Sequence, residues 1–312
     1  MNGVTREELL TALATLRRAR VRGRRAPHKP LLLLWLLGRF ASQGSTAMTY
    51  AAAEEPVSRL INDFGPPVRA LGAAARQRAA MPFVHLERTL WDLRDAVGEP
   101  LGPGTDESGP RLRALGAHGR LRPAVESLLA DTGTLAAAAR VLLDQHFTPA
   151  LEGPVCEAAG LDLTDLEAAT HELLTERRER RRRQSGFADT VLRAYAYACA
   201  MCGFDGRLGR NPVGLEAAHI RWHSQDGPDE VRNALALCSL HHTLFDLGAL
   251  GVTGARTVRV SGLYVAGSPA GRAVGELAGR PLAVPQPGRP GPAEEFIAWH
   301  DAEVFKADVS AA

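Results

Sequence analysis

Cys199 and Cys202, followed by Cys238 and His241, have the spacing of a tetrahedral metal site. A CxxC and a CxxH each place two donors on one tight turn, and zinc takes four such ligands. With no position left for water, that metal would be structural. Interleaved with these is a second set, His219, Asn233, His242 and Asp246. Phosphodiester hydrolysis needs an activated water and positive charge at the phosphate. His219 is the candidate base, because neutral imidazole accepts protons near physiological pH. His242 and Asp246 lie four apart at the start of an expected helix, so both share one face and can hold one divalent cation. Asn233 can fix the loop carrying the base through its side-chain amide.

These residues need a frame. Residues 213–220 and 234–237 read as short strands joined by the turn-forming Ser224-Gln-Asp-Gly-Pro-Asp229, with a helix after Cys238. Strand, turn, strand and helix would then be clamped at their base by zinc. A helix from Phe187, with Val191, Leu192 and Tyr195, leads into Cys199. Beyond Asp246 the chain becomes strand-like and rich in Gly and Pro, closing on a short helix near 294–304.

The first half reads differently. Thr5-Arg-Glu-Glu8 is a capping box opening a helix whose Leu9, Leu10, Leu13 and Leu16 form one apolar face. Six arginines follow between Arg17 and Arg25. Pro30 suits the first turn of a helix, and the apolar run from Leu31 to Phe40 predicts a buried central helix stopping near Gly44. Further helices are expected over 47–64 (with Pro56 near its start), 68–80, 122–131 and 134–146. Residues 83–94 read as extended or hairpin-like with Trp91 inward, and 98–110 as a surface loop. Residues 163–184 read as one helix ending in the basic run Arg177–Arg183.

Composition bounds the class. The chain has 312 residues, 45% of them apolar, which is enough for two domains. Its net charge of +2 conceals the two arginine clusters, which could neutralise phosphates with salt-dependent affinity. Four cysteines, three of them in metal spacings, do not make a disulfide framework, and Cys156 reads as a core residue. Charges run through the first twenty residues, and the longest apolar run is far short of the ~20 residues that span a bilayer. The expectation is a soluble cytoplasmic protein with no membrane partner.

Residues 187–250 resemble an HNH endonuclease of the ββα-metal class, carried by Leu-Glu-Ala-Ala-His219-Ile, Asn233-Ala-Leu-Ala-Leu-Cys238 and His241-His242-Thr-Leu-Phe-Asp246. The resemblance implies His219, Asn233 and His242 as catalytic residues. Many members place an Asp or His ligand directly before the base; Ala218 stands there. The catalytic metal, Mg2+ or Mn2+ or a similar divalent cation, is therefore expected on His242 and Asp246, with Glu216 as a further candidate. Zn2+ is expected on Cys199, Cys202, Cys238 and His241.

The segments Arg24-Arg-Ala-Pro27-His28-Lys29-Pro30-Leu-Leu-Leu-Leu and Met81-Pro82-Phe83-Val84-His85-Leu86 resemble the sulfur-binding domain of phosphorothioate-dependent, type IV-like restriction endonucleases. In that family the domain binds double-stranded DNA in which sulfur replaces a non-bridging phosphate oxygen. Sulfur accepts hydrogen bonds poorly, so an apolar rim costs less to bury against it than against hydrated oxygen. Pro82 and His85, with Met81 beside them, are the candidates for that rim, although Met81 stands where tyrosine often precedes the pocket proline. Arg24, His28 and Lys29 would hold the flanking phosphate and read base edges.

The expected architecture is α+β. It comprises a mainly helical N-terminal DNA-reading domain (1–155), a helical basic linker (156–186) and a zinc-stapled ββα-metal HNH domain (187–312). The expected function is modification-dependent cleavage of phosphorothioated DNA, with a homodimer as one way to cut both strands. Two other readings remain open on the sequence: a methylcytosine-dependent HNH nuclease, and a catalytically silent zinc-containing DNA-binding protein.

Overall fold

The computed structural model describes residues 4–17, 20–21, 24–66, 78–102, 104–162, 164 and 186–307, with the side chains of residues 20, 21, 24 and 25 outside the described set. Most of the expected helices over 68–80 and 163–184, including Arg177–Arg183, lie outside the described residues. The chain divides into two compact units, Met1–Glu172 and Leu173–Ala312. Both mix helices with small sheets, as the α+β reading expects.

The first unit is built around one helix, His28–Gln43. Leu31 to Leu34, Leu36 and Leu37 are all buried, because helices surround it: Tyr50–Phe64, Ala80–His85, Thr132–His146 and Pro149–Ala159. It stops at Gly44, whose φ of 68° is the left-handed conformation glycine adopts without a Cβ penalty. At Gly38 a Cβ would lie 2.0 Å from the carbonyl oxygen of Ala159, so glycine lets the two helices approach. The first helix, Arg6–Ala14, carries the expected capping box, with Thr5 Oγ1 accepting from the Glu8 amide and Glu8 Oε2 from the Thr5 amide. The helix Pro149–Ala159 runs on through residue 155, and Cys156 is buried on it.

Residues 83–94 differ in part from the extended reading. Ala80–His85 is a short helix and only Trp91–Arg94 is a strand. Pro82 is the third residue of that helix, where its missing N–H would have had no intrahelical partner. The segment is held by aromatic packing. Phe83 meets Tyr50 edge-on at 5.2 Å and Trp91 at 5.3 Å, and Trp91 Nε1 donates to the Phe83 carbonyl at 3.0 Å. Trp91 is inward, as expected. Its strand pairs antiparallel with His118–Leu121, which also pairs with Met48–Thr49. The helix begins at Tyr50, so Pro56 lies at its middle rather than near its start. The strand at 118–121 and the helix Gly109–Ala114 have no counterpart in the sequence expectations.

In the second unit, residues 186–194 are helical and the chain then turns sharply, with Ala196 and Tyr197 at φ of 53° and 56°. Strands Leu215–His219 and Ala234–Cys238 pair antiparallel, with Leu215 opposite Cys238 and His219 opposite Ala234. Helix Ser239–Asp246 starts at once from the second strand. Ala234 to Leu237, Ala218 and Phe245 have no exposed surface, so the hairpin and helix share a core. A hairpin of Leu250–Val252 and Val258–Val260 follows, then a helix at Pro269–Gly275 that the Gly/Pro-rich composition conceals.

The closing helix, Glu294–Glu303, presents His300 to the site helix. His300 stacks on Phe245 at 3.6 Å, and its neutral ring donates from Nε2 to the Phe245 carbonyl at 3.0 Å. Burial pushes its pKa down to about 3. The unfolded chain takes up that proton near pH 6.5, so stability falls as pH drops through the window from 6.5 to about 3. Between pH 7 and pH 5 this one group costs about 2 kcal/mol. Urea midpoints at the two pH values are expected to converge in His300→Gln relative to the unaltered chain. Equal acid sensitivity of both proteins would remove His300 as the cause.

Candidate functional site

Cys199, Cys202, Cys238 and His241 come together, with one donor atom from each inside a 4.8 Å sphere of mutual distances. His241 Nδ1 lies 3.5 Å from Cys199 Sγ and 3.3 Å from Cys238 Sγ. A tetrahedron with bonds of about 2.0–2.3 Å has edges of roughly 3.5 Å, so the donors fit a four-coordinate ion. The turn Cys199–Gly203 is closed by Cys199 accepting from the Gly203 amide and donating to the Phe204 carbonyl, both at 2.8 Å. Gly203, at φ of 79°, permits that turn. The hydrogen bond with Cys238 holds the Cys199 thiol well below its ordinary value, while Cys238 and Cys202 are pushed up. Sulfurs this close cannot all ionise without a cation, which is the property of a metal-binding cluster. Among the described residues this is the group of three or more His, Cys and acidic side chains that meets the spacing of a metal site.

His219 ends the first strand, and its Nε2 lies 2.8 Å from Asp229 Oδ1. Its ring stacks on Phe187 at 4.4 Å, with His223 farther off at 6.2 Å. Burial lowers its pKa; Asp229 and, more weakly, Asp246 act in the opposite sense, while His223 adds to the lowering. The net direction is downward, so the ring is neutral and able to accept a proton at physiological pH.

Asn233 is fully buried and uses both ends of its amide. Oδ1 accepts from the Arg221 amide at 2.8 Å, and Nδ2 donates to the carbonyls of Arg221 at 3.0 Å and Pro228 at 2.9 Å. The loop between the strands is thereby tied at both ends. Gly227 fits inside it because a Cβ there would lie 1.9 Å from the Arg221 carbonyl oxygen.

His242 and Asp246 share a helix face, with His242 Nε2 at 3.4 Å from Asp246 Oδ2. The other oxygen of Asp246 accepts from Trp222 Nε1 at 3.0 Å. Glu216 meets His242 at the opposite ring nitrogen, Oε2 to Nδ1 at 2.6 Å, and its Oε1 accepts from Ser239 at 2.6 Å. In this arrangement Glu216, expected as a further metal ligand, lies on the far side of the imidazole from Asp246. Burial lowers the pKa of His242, but Asp246 and Glu216 outweigh it, and the net direction is up. The hydrogen bond from His242 in turn holds the Glu216 carboxyl below its ordinary range. Trp222 and Asp229 contact these candidate residues, and neither is marked out by the sequence alone. A buried indole needs an acceptor, which was the available signal for Trp222.

In the first unit, Met81 and His85 are half-buried and four apart on one helix, so they share a face, while Pro82 is buried. His85 Nε2 is paired with Glu107. Lys29 is buried as a residue and its Nζ donates to Glu87 Oε1 at 2.8 Å, and Glu87 also accepts the Arg17 amide at 2.9 Å. His28 Nε2 faces Arg78 at 3.2 Å, and burial, with the Arg78 charge, pushes its pKa down to about 3. Lys29 and His28, expected to hold a phosphate, make these internal contacts in the structure. The side chain of Arg24 lies outside the described residues; its backbone pairs with Val21 in a two-residue ladder.

A His–Asn–His set on a strand pair and helix, stapled by a Cys3His cluster, defines the HNH nuclease class. The family described as HNH endonuclease matches residues 199–253. The family described as ScoMcrA-like, DNA sulfur-binding domain matches residues 6–164, half of the chain, and the chain belongs to that family. One polypeptide thus joins a DNA sulfur-binding domain to an HNH endonuclease domain, the makeup of a metal-dependent DNA nuclease.

Similar solved structures include the sulfur-binding domain of SprMcrA complexed with phosphorothioated DNA, at 25% identity, TM-score 0.39, and coverage of 50% of this chain and 94% of that one. The sulfur-binding and SRA domains of ScoMcrA, complexed with phosphorothioated DNA, match at 25% identity and TM-score 0.41, covering 49% and 46%. The modification-dependent TagI restriction endonuclease matches at 26% identity and TM-score 0.30, covering 37% and 36%. No curated protein matches significantly. Among the described residues no helix is long and apolar enough to cross a membrane.

Proposed function

We propose that the first unit binds double-stranded DNA carrying a phosphorothioate linkage and that the second hydrolyses a phosphodiester bond nearby. The observation that carries this reading is the presence of both domain families in one chain. On the first unit, the Met81 and His85 face of helix Ala80–His85 is the candidate contact for sulfur, with Pro82 packed behind it. Methionine and the carbon edge of imidazole are suited to a large, weakly hydrated atom. Phosphate contacts are left to Arg24 and its arginine neighbours.

On the second unit, His219 removes the proton of the attacking water, and Asn233 holds the loop that returns from it. His242 Nε2 and Asp246 Oδ2 would hold the catalytic cation, Mg2+ or Mn2+, which supplies positive charge to the phosphate. Glu216 fixes His242 through Nδ1, and Trp222 fixes Asp246, the outer contacts that orient metal-binding side chains. Zn2+ is the ion proposed for the Cys3His cluster, as a structural element.

Titrating a phosphorothioate duplex, its oxygen twin and a cytosine-methylated duplex against the whole chain tests the reading. Preferential binding of the sulfur duplex by tenfold or more, with Mg2+- or Mn2+-dependent cutting of sulfur-modified plasmid, is expected. Equal affinity for sulfur and oxygen duplexes would refute the first half. Tight sulfur-selective binding with no cutting under either metal would refute the second. Preference for the methylated duplex would replace sulfur as the signal.

A further inference from the structure

The Asp229 carboxylate accepts a hydrogen bond from His219 at 2.8 Å, across the loop that joins the two strands of the site. An ionised carboxylate only accepts, so the proton of the neutral ring must sit on Nε2. Nδ1 is then the ring's lone-pair atom. A general base is useful only in the tautomer that leaves its accepting nitrogen free, and a carboxylate partner is a recurring means of selecting it.

Asp229 is held for this task by its neighbours. The Pro228 carbonyl, directly before it, accepts from Asn233 Nδ2 at 2.9 Å. Arg221, at the other end of the loop, is bonded to the same amide through both its N–H and its carbonyl. Ile220 donates to the Asn233 carbonyl at 2.9 Å, so the residue after the base is tied in as well. Gly227 closes the loop where a side chain would collide. From the helix over 186–194, Phe187 stacks on the imidazole and restricts its tilt. The other titratable groups acting on His219 are His223 and Asp246.

We propose that Asp229 is the positioning residue of the nuclease base, holding His219 in the Nε2–H tautomer so that Nδ1 takes the proton from water. The buried amide of Asn233 acts through it: it locks the loop, and the loop presents the carboxylate. This inference rests on the reading of His219 as the base. Asp229 is about half exposed (47% for its side chain), so its effect is expected at the scale of outer-shell partners, about 10–100-fold in rate, rather than that of a buried triad aspartate.

The test compares Asp229→Asn, Asp229→Glu and His219→Ala in the full-length chain. Asp229→Asn is expected to lower kcat by about 10–100-fold with KM and DNA affinity unchanged. Loss of the carboxylate's charge also lowers the basicity of His219, so the acid limb of the pH–rate profile moves to lower pH. Asp229→Glu should recover part of the rate. Long-range 1H–15N correlations of the imidazole, recorded without any catalytic metal, should show the Nε2–H tautomer in the unaltered chain and its loss in Asp229→Asn. Unmoved tautomer and acid limb in Asp229→Asn, whatever the rate, would overturn the proposal while an inactive His219→Ala left the base reading standing. An active His219→Ala would overturn the base reading, and this inference with it.

Discussion

Replacing His219 with alanine is expected to lower the cleavage rate by about 10²–10⁴-fold, the contribution typical of a positioned general base. DNA affinity should not change, because the proposed sulfur contacts lie on the first unit, on Met81 and His85. Loss of folding would be a competing explanation for lost activity, but the geometry argues against it. The imidazole is partly exposed, with 19% of its side-chain surface accessible. It stacks on Phe187, a contact worth about 0.5–1.5 kcal/mol, and its hydrogen-bond partner Asp229 is half exposed. Asn233 ties the loop through backbone groups of Arg221 and Pro228, none of which depends on the imidazole. The measurement is nicking of supercoiled sulfur-modified plasmid under single turnover, with urea midpoints on the same preparations. Retained nicking would assign the proton transfer elsewhere; a midpoint lost along with the activity would recast His219 as structural.

The parts of this protein legible in the sequence were those fixed by short-range rules. Metal donors three positions apart, a capping box at Thr5 and an apolar run from Leu31 each encode their own geometry. What was illegible depends on partners brought together by folding. Lys29 reads as a free cation until Glu87 meets it from 58 positions away. Glu216 reads as one more metal ligand. Only the docking of its strand on helix Ser239–Asp246 shows that it reaches Nδ1 of His242, not Nε2. Ala218 looks like a missing ligand, yet it is fully buried opposite Leu235 in the core. Asp229 is one of several polar residues in a turn-rich loop, with no periodicity to mark it. The helix Ala80–His85 failed for a related reason: six residues are too few for a 3.6 period to separate from a strand when tertiary packing on Tyr50 and Trp91 decides.

Removing the proposed zinc should have the other large effect, and on folding rather than on chemistry. The Cys3His cluster ties together the Cys199–Gly203 turn, the end of the second strand at Cys238 and the first turn of the helix at His241. His242, next in sequence, turns to Glu216 and Asp246. On the proposed reading, one helical turn would carry a structural donor and a catalytic one, and the cluster would set the position of both. Structural zinc contributes about 10–16 kcal/mol to the fold that binds it, against a net domain stability of about 5–15 kcal/mol. Losing one donor is thus expected to abolish cooperative folding of the second unit. Cys202→Ser is the informative variant, since Cys202 is exposed and its change leaves no cavity in the core. Metal analysis should give one zinc per chain before the substitution and much less after it. Treatment with a strong chelator should reproduce the loss, and added Mg2+ alone should not restore nicking whereas Zn2+ together with Mg2+ should. A second unit that melts identically with and without zinc would show that the cluster does not hold the fold. The hairpin and helix would then be stabilised by their apolar core around Leu235, Leu237 and Phe245 alone.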